Sequence, residues 1–137
     1  MIEWEKGILF TIAVIIGVAL VFVMALLQGS LVFGAPFGEY VLGGQHRVLP
    51  KKMRLVSGGI SLAFIVVGIS YLQVAGAIGG FFNPVFVKVL LAAFTVFIAC
   101  AIVSNGFITK SKKEKYIMTP CTIVQFICSV YILICSY

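Results

Sequence analysis

Four long apolar runs decide what this chain can fold into. Residues 7–33, 55–75 and 116–137 carry no charge, and residues 84–104 carry one, Lys88. A helix crossing about 30 Å of hydrocarbon needs about 20 apolar residues, and each run meets that length. Lipid offers no partner for backbone N–H and C=O groups, so a spanning segment must satisfy them internally as a helix. The runs are apolar at nearly every position rather than at alternate ones, which argues against a β-barrel. Composition agrees. Hydrophobic residues make up 62% and charged residues 10% of the 137, against about 45–50% and 25% in soluble domains. Too few charges remain to solvate a globular surface, and the hydrophobicity is too high for disorder. The expectation is an all-α, polytopic membrane protein in one domain, 1–137. Its four transmembrane helices would form an up-down bundle joined by loops 34–54, 76–83 and 105–115. The first run is roughly 27 residues long, and two acids and one base precede it (Glu3, Glu5, Lys6). A signal peptide would have a positive start and a shorter core, so a retained, tilted helix is expected.

The charges predict the orientation. Arg47, Lys51, Lys52 and Arg54 lie in the first loop, and Lys110, Lys112, Lys113 and Lys115 in the third; the second loop has no base. Loops rich in Lys and Arg stay in the cytoplasm. Two such loops in a four-span chain fall on one side, so both termini are expected outside. Insertion in both orientations would need near-balanced loop charge, so any homodimer is expected to be parallel. The net charge of +6 then reads as topology plus attraction to anionic headgroups, and nucleic acid is excluded as a partner. Lys88, one turn after Pro84, is expected to snorkel to the outer interface.

Polar residues inside the runs are few. Cys121, Cys128 and Cys135 recur every seven residues, which places them on one stripe about 10 Å apart along the axis, too far to bridge. With Cys100 they read as packing residues, since no C-x-x-C pair is present. Gln125 and Ser129 share that side of the fourth helix, and polar side chains in lipid turn toward another helix. This face is therefore expected to pack inward, against small residues of helix two (Ser57, Gly58, Ser61, Gly68) and helix three (Ala92, Thr95, Ala99). The alternative is a pathway lined by Gln125, Ser129 and Thr95. No Asp or Glu lies inside the runs, unlike most proton-coupled pumps.

The first loop spans about 21 residues, where helix connections in bundles usually take 2–8. Its apolar members (Phe37, Tyr40, Val41, Leu42, Val48, Leu49) and turn residues (Gly34, Pro36, Gly38, Gly43, Gly44) predict an ordered structure at the cytoplasmic interface. It also concentrates the chemistry: Glu39, Gln45, His46, Arg47 and Arg54. A carboxylate, an imidazole and a guanidinium suit a polar ligand or acid–base work. The reading favoured over catalysis is a structural network in which Glu39 pairs with Arg47 or Arg54 and His46 caps a turn. One His and no Asp argue against a metal, and no cofactor is implied. In the third loop Asn105-Gly106 fits a helix C-terminal turn, and Ser111 to Glu114 has the form of a capping box. Pro120 falls in the first turns of helix four, where it is tolerated.

The segments Gly34-Ala35-Pro36-Phe37-Gly38-Glu39, Gly43-Gly44-Gln45-His46 and Val48-Leu49-Pro50 carry a resemblance, together with Arg54, Asn105, Ser111 and the Glu114-Lys115-Tyr116…Pro120 run. On these the chain resembles an uncharacterised family of small bacterial integral membrane proteins of about this length. The resemblance implies four membrane helices and residence in the bacterial cytoplasmic membrane, and no activity. The leading reading is non-enzymatic: a cytoplasmic-face pocket lined by Glu39, Gln45, His46, Arg47, Arg54 and Asn105, binding an anionic ligand, a lipid headgroup or a partner membrane protein. Two others stay open. One is a small oligomeric transporter or channel with the Gln125 face along its path. The other is a membrane-embedded enzyme using Glu39 and His46.

Overall fold

The computed structural model describes residues 3–41 and 46–137, with side chains from residue 7 onward. Four helices form an up-down bundle: α1 (Glu3–Val32), α2 (Lys51–Val74), α3 (Pro84–Val103) and α4 (Thr119–Ser136). No strand occurs among the described residues. With the turns that extend α3 and α4, all four are long and apolar enough to cross a membrane. The chain is thus built as a multi-pass membrane protein. Its surface fits that environment, with Leu26, Leu62, Ile127 and Ile134 all exposed. In water such a belt of large apolar side chains would drive aggregation.

Helix limits depart from the apolar runs in physically informative ways. Pro50, in extended conformation, precedes the first turn of α2, which begins at Lys51. Lys51, Lys52 and Arg54 are therefore helical: charge marks the edge of the hydrocarbon, not the end of backbone hydrogen bonding. Asn105-Gly106 does not end the third helix. The backbone widens into a π-helical turn over Ser104–Ile108 and closes with Thr109 N–H on the Ser104 carbonyl at 2.9 Å. A second π-helical turn, Glu114–Met118, leads into α4. It lies just before Pro120, which lacks the amide that an α-turn onto Tyr116 would require. Glu114 thereby becomes part of the fourth spanning segment and is buried, where the apolar runs alone held no acid.

Small residues set the helix spacing. Gly68 of α2 faces the Phe22 ring so closely that a Cβ there would stand 2.7 Å from its Cζ. Ser61 donates to the Ala25 carbonyl of α1 at 2.8 Å. Ser57 and Ser61 are buried, but Ser61, Gly58 and Gly68 meet α1 rather than the inward face of α4, and Ala92 of α3 is exposed and belongs to the outer surface. The core runs through Val21, Phe64, Val67, Tyr71, Leu91, Phe94, Ile98 and Ile132. α1 packs extensively along α2 and also against α4, and α3 packs against α4. α2 and α3 meet along a weaker seam than these pairs, bridged chiefly by rings, Phe64 against Phe94 and Phe97, and Tyr71 against Phe94.

The loop after α1 is ordered over its described residues. Gly34, at φ +91°, ends α1 in a Schellman turn, with Gly34 N–H on the Leu31 carbonyl and Ala35 N–H on that of Ser30. Val41 and Leu49 bury themselves against Leu31 in a second small core. Gly38 donates its N–H to the Arg47 carbonyl at 2.8 Å, and a side chain there would collide with the His46 carbonyl. At the other end, Gln73 takes the Phe82 N–H and donates to its carbonyl, pinning the short connection. Asn83 caps α3 through Val85 N–H. Lys88 lies over the Tyr137 ring at 5.2 Å.

Candidate functional site

The expected site residues divide between a surface and an interior. On the surface, Glu39 forms an ion pair with Lys113 at 2.7 Å, rather than with Arg47 or Arg54. Lys113 also lies 5.5 Å from the centre of the Tyr40 ring. Its hydrogen bond and charge hold the Glu39 carboxyl below its ordinary value, and the same pair raises Lys113. Ser111 Oγ accepts from Glu114 N–H and donates to the Glu39 main-chain carbonyl, so the serine half of the expected capping box forms, while the Ser111 N–H goes to Thr109 Oγ1, and the two basic loops are joined. Arg54 turns back onto the loop, donating from Nε to the Leu49 carbonyl at 2.8 Å. His46 and Arg47 are exposed, and among the described residues no hydrogen bond joins His46 to Glu39. Gln45 lies outside the described residues. Glu39, Arg47 and Arg54 thus share one end of the bundle.

Asn105 belongs to the interior. From the π-helical turn it donates to Thr122 Oγ1 at 3.1 Å, and Thr122 in turn bonds the Met118 carbonyl. Both residues line a partly open cavity of about 310 Å³ to which all four helices contribute. Its walls are mainly apolar, with Phe64, Phe94 and Phe97 prominent, and Tyr40 and Val41 of the first loop close its basic end. Polar groups enter at few points, among them Gln28, Asn105, Glu114, Thr122 and Gln125.

The inward face of α4 behaves as its sequence implies. Ser129 is buried and central: Tyr71 donates its hydroxyl to Ser129 Oγ at 2.9 Å, and Thr95 Oγ1 lies 2.7 Å from the same atom. Gln125 donates from Nε2 to the Tyr71 hydroxyl. Thr95, Gln125 and Ser129 therefore meet, and Tyr71 joins them. Gln125 faces the cavity, while Ser129 and Thr95 bond each other away from it.

Three participants escaped the sequence reading. Gln28 carried a signal, an amide within an uncharged run. Glu114 looked like a loop residue because it sits among lysines. Tyr71 looked like one more aromatic residue in lipid. Comparison with family models, with curated proteins and with solved structures returns no match, so the site rests on its own geometry.

Proposed function

We propose that the chain is a non-enzymatic protein of a bacterial cytoplasmic membrane that binds an anionic lipid headgroup at its cytoplasmic, basic end. One observation carries this reading. Arg47, Lys51, Lys52, Lys110, Lys112 and Lys115 are all exposed at the end where both basic loops meet. The acids there cannot offset them: Glu39 is paired with Lys113, and Glu114 is one buried carboxyl against six exposed bases. Each Lys or Arg near an anionic leaflet contributes about 1 kcal/mol of attraction, reduced by salt. The tie between the loops gathers these cations on one surface, which favours a headgroup over a diffuse counterion layer.

The test uses spin-labelled phosphatidylglycerol and phosphatidylcholine in proteoliposomes. The wild-type protein should immobilise the anionic lipid preferentially. The triple variant Arg47→Ala, Lys51→Ala, Lys52→Ala should lose most of that preference. An unchanged ratio between the two lipids sinks the reading. In intact cells expressing the protein, an impermeant amine reagent added from outside should leave Lys52 and Lys112 unmodified.

A further inference from the structure

The interior cavity is separate from the basic platform, and its chemistry selects a different ligand. Gln28 of α1 and Gln125 of α4 both line it, and both are about 95% buried. Each has a side-chain oxygen with no hydrogen-bond partner. A buried polar atom left unpaired is costly, and native proteins rarely keep one without a reason. Here two amides line the same roughly 310 Å³ space, each with its unpaired oxygen sealed from it in this structure. That volume falls at the lower end of the range of about 300–1,000 Å³ for small-molecule sites.

We propose that this cavity binds an uncharged, largely apolar small molecule that carries a hydroxyl group. Phe64, Phe94, Phe97 and Ile98 supply the apolar wall. The terminal torsion of a glutamine is soft, so a modest rotation turns the Gln28 oxygen toward a hydroxyl in the cavity. Gln28 is the principal anchor, because Gln125 is already tied to Tyr71 through Nε2. No Lys or Arg lines the cavity, so nothing there favours an anion, and Glu114 on the wall opposes one. Glu114 is itself engaged, which leaves no reason to require a cation. Entry is from the bilayer. Phe97 and Cys100 line the cavity and are also exposed, and they flank the weak α2–α3 seam. An apolar molecule dissolved in lipid meets that seam directly.

The experiment is a fluorine NMR titration of the full chain in nanodiscs, with empty nanodiscs as the reference for partitioning. The probes are 4-fluoro-1-naphthol and 1-fluoronaphthalene, which share a body and differ in the hydroxyl. The naphthol should bind saturably and about fivefold more tightly, the size of one neutral hydrogen bond. Gln28→Leu should abolish that preference while 1-fluoronaphthalene still binds. Ala101→Phe, which fills the cavity, should abolish both. Gln28→Met serves as a near-isosteric second variant with the same expectation. No saturable binding of either probe beyond empty nanodiscs would overturn the proposal. So would equal affinity for the two probes, the mark of a merely greasy void. A preference that survives both Gln28 variants removes the assigned anchor and overturns it as well. Loss of the lipid selectivity proposed above leaves this result untouched, because the two sites share no side chain.

Discussion

Ser111 donates its hydroxyl hydrogen to the main-chain carbonyl of Glu39 at 2.6 Å, across 72 residues of sequence. The same oxygen accepts the Glu114 amide. One side chain therefore caps the start of the fourth span and fastens the two basic loops to each other.

Ser111→Ala removes both bonds. Losing a cap costs about 1 kcal/mol, and a lost loop-to-loop hydrogen bond adds about as much. Unfolding in mixed micelles should show a loss of about 1–2 kcal/mol, with Ser111→Thr retaining part of it. An unchanged midpoint for Ser111→Ala would mean the loops do not depend on this contact.

The Glu39–Lys113 pair predicts a pH dependence of definite sign. Folding lowers the Glu39 carboxyl from its ordinary 4.5, chiefly through the Lys113 hydrogen bond. The unfolded state then binds the proton more readily, so the stabilisation is present above 4.5 and disappears as pH falls through the lower folded value. Acidification from about pH 5 to pH 3 should destabilise the wild type more than Glu39→Gln. At the alkaline end Lys113 is raised, so its contribution is present below its ordinary 10.5 and is lost as pH rises through the folded value. The pair is solvent-exposed, and both effects should shrink in high salt. Parallel pH profiles for wild type and Glu39→Gln would contradict the ion pair.

Tyr71→Phe deletes the hydroxyl that donates to Ser129 and accepts from Gln125. Interhelical hydrogen bonds within a membrane bundle are worth about 0.6–1.7 kcal/mol each, so a loss of about 1–2 kcal/mol in detergent unfolding is expected. Ser57→Ala has the opposite expectation. Ser57 is fully buried and its hydroxyl has no partner, so the change should be neutral or slightly stabilising. If Ser57→Ala proved as damaging as Tyr71→Phe, hydrogen bonding would not be what separates the two sites.

Gly68 tests the packing of α1 on α2. A methyl group there meets the Phe22 ring at 2.7–3.1 Å, inside van der Waals contact, and the ring is stiff. Gly68→Ala should cost about 1–3 kcal/mol through overpacking. Phe22→Leu should recover much of that loss in the double variant, and additive losses would place the strain elsewhere.

The number of crossings, the side of the bundle that gathers the bases and the inward face of α4 were all legible in the residues. Each depends on a local quantity: the length of an uncharged run, the position of a lysine, or the spacing of Gln125 and Ser129. The order of the described part of the first loop was legible for the same reason, because Val41 and Leu49 have to bury and Gly34 has to turn. The partner of Glu39 was not, since Arg47 and Arg54 lie nearer in sequence than Lys113. Asn105-Gly106 read as a helix end because the bond from Asn105 to Thr122 depends on a neighbouring helix.

The primary structure on its own determined that the backbone must cross lipid as four helices, because unpaired amides are intolerable there and no other form hides them within a single segment. Only the tertiary structure decided which polar groups share the interior. Gln28 is far along the chain from Asn105, Glu114 and Gln125, and all four come together at one cavity. Side-chain volumes at the helix seams set that convergence, and no property of an isolated helix specifies it.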